Sequence, residues 1–158
     1  MPNDIPAEQR YRPDDRLMQG VIPYLGLSGK CGEARDFYTR AFAARDIGSM
    51  PMENAPGQFM HMQLAINGGA LMLTDYDDMS GAQAGGAPLP RGHLQLVVPD
   101  GQAWWDRAVN AGCTILAPYE RQFWGDTWGL LADPFGLKWA VLTPDPALWE
   151  TAEGKAGA

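Results

Sequence analysis

Histidine and cysteine are both scarce in this chain, with two of each among 158 residues. No Ser-His-Asp or Cys-His arrangement can be argued, because no nucleophile motif accompanies His61 or His93. Cys31 and Cys113 stand far apart and cannot make a multi-disulfide framework. They read as small core or helix-end residues, and a reduced, cytoplasmic location follows. Basic residues are also few. Twelve Lys and Arg face 19 Asp and Glu, for a net charge of -7. Such a surface repels phosphate backbones and anionic lipid, so nucleic acid and membrane are not expected as partners. No apolar run approaches the roughly 20 residues of a membrane span. The start, MPNDIPAEQRYRPDDR, has no apolar signal-peptide core.

What is present fits one globular domain. Apolar residues make up 46% of the chain, too many for a disordered one. Residues 1–18 read as a loose arm and 145–158 as a tail. Between them the pattern comes in two halves: module one at 19–78, a linker at 79–90, and module two at 91–144.

The first half opens on a short strand, Val21–Leu27, with Pro23 suited to a strand end or edge. Ala34, Phe37, Tyr38, Ala41 and Phe42 then recur at helical spacing as one apolar stripe. Asp46–Met50 is a weak strand. Phe59–Ile66 alternates, with His61 and Gln63 on one face and Met60, Met62 and Leu64 on the other. Asn67-Gly68-Gly69 signals a hairpin into Ala70–Thr74. The glycine-rich stretch Gly81–Pro88 lacks the Lys-Ser/Thr ending of a P-loop and reads as linker.

The second half repeats the order. His93–Val98 is a strand with His93, Gln95 and Val97 on one face. Asp100 is expected to cap a helix with Trp104, Trp105, Ala108 and Val109 on its apolar side, stopped at Gly112. Thr114–Ala117, Trp128–Ala132 and Lys138–Thr143 are strands, the last two joined by Asp133-Pro134-Phe135-Gly136. The chain therefore reads as α+β: two βαβββ modules, an internal duplication with paired sheets around a small-molecule pocket.

Three ordered stretches carry a family resemblance. They are Pro23-Tyr24-Leu25 running into Cys31-Gly32-Glu33-Ala34-Arg35-Asp36-Phe37-Tyr38, then Phe123-Trp124-Gly125-Asp126, then Asp133-Pro134-Phe135-Gly136-Leu137-Lys138-Trp139. Together they resemble the vicinal oxygen chelate superfamily, which includes glyoxalase I, bleomycin-resistance proteins and extradiol dioxygenases, and within it the PhnB-like subgroup. The resemblance implies a cup-shaped mixed sheet, a homodimer and, in metal-using members, four His, Gln or Glu ligands to a divalent ion. Carried over to this chain, the four ligand positions fall at Pro23, Leu73, His93 and Ala140. Only His93 could bind a metal, so no cofactor is expected. The methyltransferase label borne by some subgroup members gains no support, since no glycine-rich nucleotide-binding βα unit is present.

The remaining candidates follow from residue chemistry. His93 is a candidate acid/base, since its ordinary pKa lies near neutrality. Tyr24, His61, Gln63, Gln95, Trp124 and Asp126 are candidate ligand-binding residues. Trp124 and Trp128 beside Asp126 suit a planar or cationic ligand. Trp104 and Trp105 read as core or interface. Met50, Met52, Met60, Met62 and Met72 read as flexible apolar filler for the sheet and a pocket wall. Asp133 reads as a turn residue, and Asp75, Asp77 and Asp78 as a solvated acidic loop.

Three functions are compatible with these residues. The first is a small aromatic or oxygenated metabolite bound in the cup, with metal-independent isomerase or lyase chemistry at His93. The second is a non-catalytic, sequestering binder. The third is a metalloenzyme with a shifted ligand set that uses His61 and His93.

Overall fold

The computed structural model describes residues 21–76 and 92–147. The expected arm, the glycine-rich linker, Asp77, Asp78 and most of the tail lie outside the described residues. The described residues form two compact units, one of residues 21–39 and 43–76, the other of 40–42 and 92–147.

The first unit runs β1 (Tyr24–Gly26), α1 (Cys31–Phe42, its last turn grouping with the second unit), β2 (Arg45–Pro51), β3 (Phe59–Ile66) and β4 (Gly69–Thr74). The second runs β5 (Leu94–Val97), α2 (Gly101–Ala111), β6 (Thr114–Arg121), β7 (Thr127–Ala132) and β8 (Lys138–Thr143). Each sheet has four strands, ordered β1-β4-β3-β2 and β5-β8-β7-β6. In each, the first strand pairs parallel with the last and the other pairings are antiparallel. The fold is two βαβββ modules of one topology, in the element order that the sequence pattern implies.

The stripe of α1 is buried throughout: Ala34, Tyr38, Ala41 and Phe42 are inaccessible and Phe37 nearly so. In the first sheet the register puts Tyr24, Gln63 and Met72 in one row. The opposite face carries Met62, Leu64, Leu71 and Leu73, all buried. In the second sheet α2 covers the face of Gly129, Leu131, Trp139 and Val141. A Cβ at Gly129 would lie 2.6 Å from the Trp105 ring and 2.7 Å from the Tyr119 backbone, so only glycine fits. Trp105 is buried and stacks on Tyr119 at 5.6 Å, whereas Trp104 is half-buried under the Arg107 guanidinium at 4.6 Å.

Both helices are capped from the end of their own sheet. Lys30 at the N-cap of α1 makes no side-chain cap bond. The Asp75 carboxylate, just past β4, accepts instead from the Cys31 N–H at 3.0 Å and the Phe59 N–H at 2.7 Å. At α2 the expected Asp100 cap is corrected: Asp100 sits at the N-cap without a side-chain bond. Thr143 on β8 takes its place, accepting from the Gly101 N–H at 3.1 Å. A Cβ at Gly101 would strike Thr143 Oγ1 and the Tyr119 hydroxyl, so the close approach requires glycine. The Gly112 stop holds, in the left-handed conformation with φ 118°.

Four further expectations need revision. Asp75 is no solvated loop residue, being only 7% exposed. Met50 and Met60 are 40% exposed, so of the sheet methionines only Met62 and Met72 are buried filler. The first strand is shorter than Val21–Leu27: it starts after Pro23, which has no N–H to pair, and ends at Gly26. β6 is longer than Thr114–Ala117: Pro118 interrupts the ladder, the register shifts between Ala117 and Glu120, and pairing resumes.

Candidate functional site

The face of the second sheet opposite α2 gathers several of the residues singled out in the sequence. Gln95, Ala140 and Leu130 form one row, and Val97, Leu142, Trp128 and Glu120 the next. The indole N–H of Trp128 donates to Gln95 Oε1 at 3.4 Å. His93 Nε2 makes a longer contact to the same oxygen at 3.5 Å, and its ring lies 6.1 Å from that of Trp128. Trp124 stands edge-on to Trp128 at 6.4 Å, and Phe123 edge-on to Trp124 at 5.0 Å. The outer end of this aromatic chain is open to solvent, with Phe123 98% exposed and Trp124 42%, whereas Trp128 is half-buried.

A tight hairpin tip presents Phe123 and Trp124. The Gln122 N–H donates to the Asp126 carbonyl at 2.8 Å and the Gly125 N–H to the Gln122 carbonyl at 3.0 Å. Gly125 adopts φ 106°, a conformation open to glycine. Asp126 is used structurally, its Oδ1 accepting from the Asp145 N–H at 2.8 Å. Asp133 also holds a turn: it accepts from the N–H groups of Phe135 and Leu137 and from the Trp139 indole at 2.8 Å.

The first sheet holds the other sequence candidates. Tyr24 Oη lies 2.8 Å from His61 Nδ1, with the ring centroids 5.4 Å apart. Gln63 is fully buried on the same face, in the row of Met72 and Tyr24. Burial lowers the His61 pKa from its ordinary value. Burial, and secondarily Cys31, raise that of Tyr24. Asp75 is held below the usual carboxylate range. Burial alone would push it up, but the N–H groups of Cys31 and Phe59 outweigh that, with smaller help from the Cys31 side chain and Gly29. Burial pushes both cysteine thiols up. Asp75 adds to the effect at Cys31, and Asp133 at Cys113, which reaches about 12.

Sequence reasoning missed the Asp75 and Thr143 caps and the Tyr24–His61 bond. The partners lie 44, 42 and 37 residues apart, so no local pattern signals them.

The profile of the Glyoxalase/Bleomycin resistance protein/Dioxygenase superfamily matches residues 27–141. The chain belongs to this superfamily. A relative, the uncharacterised protein Mb0911c of Mycobacterium bovis, is 39% identical over 118 residues, covering 70% of this chain and 74% of the relative. Among solved structures, the PhnB protein of Bacillus cereus superposes with a TM-score of 0.60 at 23% identity, covering 80% of this chain and 100% of that one. Protein PA1353 of Pseudomonas aeruginosa gives 0.61 at 25% identity, covering 79% and 97%. PhnB-like neighbours and the two-module fold therefore agree.

Of the four positions that the resemblance assigns to metal ligands, Pro23, Leu73 and Ala140 carry no donor side chain. Pro23 offers no side-chain lone pair, and Ala140 is a buried methyl. Leu73 is buried on the face away from Tyr24, opposite Leu25 and Met62 in register. Among the described residues no three His, Cys, Asp or Glu gather as a metal-binding group. His93 is the one carried-over position with a metal donor, and one imidazole does not make a cage. No helix among the described residues is long and apolar enough to cross a membrane.

Proposed function

We infer that the chain binds a small planar organic molecule on the open face of the second sheet, against Trp124 and Trp128, with Gln95 and His93 as its polar contacts. The observation that carries this reading is the bond from the Trp128 indole to Gln95 Oε1 at 3.4 Å within an exposed aromatic cluster. It occupies the carboxamide oxygen and leaves the Gln95 amide N–H groups as donors toward a ligand acceptor. Ring faces supply apolar area, and one polar edge supplies orientation. Binding is favoured over turnover because, among the described residues, the His93 ring meets Gln95 Oε1 at 3.5 Å and the edge of Trp128, and no carboxylate pairs with it to orient it as a base.

Calorimetric titration with quinoline, and with cyclohexylamine as a non-planar control, tests the reading. Quinoline should bind in preference. Trp128→Ala should weaken it about threefold to tenfold, the worth of one aromatic pair contact. Equal binding by wild type, Trp124→Ala and Trp128→Ala would overturn it. Conversion of a bound compound by wild type but not by His93→Ala would replace the binding reading with a catalytic one.

A further inference from the structure

Tyr24 and His61 meet across the first sheet, and the aromatic face of the second unit does not account for them. Their strands are not neighbours, since β4 lies between β1 and β3. The two side chains reach over it to within 2.8 Å. Tyr24 is 41% exposed and His61 half-buried, so the phenol forms the accessible end of the pair.

The direction of this bond follows the His61 tautomer, and acid–base chemistry favours one of the two. A phenol, with an ordinary pKa of about 10, is a stronger acid than a neutral imidazole N–H. The imidazole lone pair is in turn a far stronger base than a phenolic oxygen. The neutral pair is therefore Tyr24 Oη–H donating to His61 Nδ1, with the ring proton on Nε2. Burial lowers the His61 pKa, and burial with Cys31 raises that of Tyr24, so both shifts favour the uncharged pair. The single phenolic proton is then committed inward, and the oxygen offers only lone pairs outward.

We propose that Tyr24 is an acceptor-only recognition point for a small ligand carrying an O–H or N–H donor, and that His61 is the positioning residue that fixes this polarity. A ligand presenting only a carbonyl or ether would set oxygen against oxygen. To reverse the polarity it would have to draw the proton away from His61. The proposal stands in the first unit and does not rest on the quinoline face.

Two measurements on the full chain test it. Nitrogen-15 NMR of the histidine rings at pH 7.5 should show His61 with unprotonated Nδ1 and protonated Nε2, and Tyr24→Phe should shift that signature. Titration with benzyl alcohol and with benzyl methyl ether, followed at the Tyr24 and His61 ring signals, should favour the alcohol by up to about tenfold, the worth of one hydrogen bond. The preference should collapse in Tyr24→Phe and shrink in His61→Phe, where the phenolic proton is released. A protonated Nδ1, equal affinity for the two probes, no response at Tyr24 and His61, or a preference unchanged in Tyr24→Phe would each overturn the proposal. Quinoline binding at Trp128 is read from separate signals, so the two proposals fail independently.

Discussion

Replacing Asp75 with alanine removes the cap of α1 and the anchor of β3 in one step. The carboxylate accepts from the Cys31 N–H at 3.0 Å and the Phe59 N–H at 2.7 Å, and the residue is 7% exposed. Leaving a buried donor unsatisfied costs about 1–3 kcal/mol. A lost N-cap costs about 0.5–2 kcal/mol. With both donors affected, Asp75→Ala should lose about 2–4 kcal/mol, a large part of the roughly 5–15 kcal/mol of a typical domain. Asp75→Asn keeps one accepting oxygen but turns an amide toward the other N–H, and should lose about 1–2 kcal/mol. Urea unfolding at neutral pH measures both, and the asparagine variant stays measurable if the alanine variant does not fold.

The same carboxylate gives a pH signature. Its folded pKa is depressed, so its contribution is present above the ordinary value of about 3.9 and is lost as pH falls through the lower folded value. The wild-type stability curve should therefore fall below about pH 4, and part of that fall should vanish in Asp75→Asn. A loss under about 0.5 kcal/mol in Asp75→Ala, or an acid limb identical in the two proteins, would refute the capping argument.

Two other perturbations read the interior. Gly129→Ala would force a methyl to within 2.6 Å of the Trp105 ring, and should cost about 1–3 kcal/mol in thermal or urea unfolding. Cys31 and Cys113 are buried thiols with raised pKa values, so a thiol reagent at pH 8 should modify them slowly in the native chain and rapidly in urea.

The sequence was most legible where one pattern had one cause. The stripe Ala34, Phe37, Tyr38, Ala41 and Phe42 marked α1, and Lys138–Thr143 was read with the ends the structure gives. Repetition of the same element order marked the duplication, and the family motifs fit it. Legibility failed where distant residues cooperate. Asp75 sits in an acidic run that looks solvated, and only the fold brings it to a helix start 44 residues back. Asp100 has the right residue type and position for a cap, yet Thr143 holds the Gly101 N–H. Pro118 would end a strand by propensity, but neighbouring β7 restores pairing after the register shift. At the candidate site, alternation placed His93, Gln95 and Val97 on one face. That Trp128 would bond Gln95, while Asp126 holds Asp145, depended on tertiary contacts.

On this reading the open face of the second sheet holds a planar ligand. Its most direct test is backbone and indole NMR shift mapping of the full chain during a quinoline titration. Saturable shifts should concentrate at His93, Gln95, Trp124 and the Trp128 indole N–H. Shifts confined to other residues, or none at ligand concentrations that saturate binding, would contradict it.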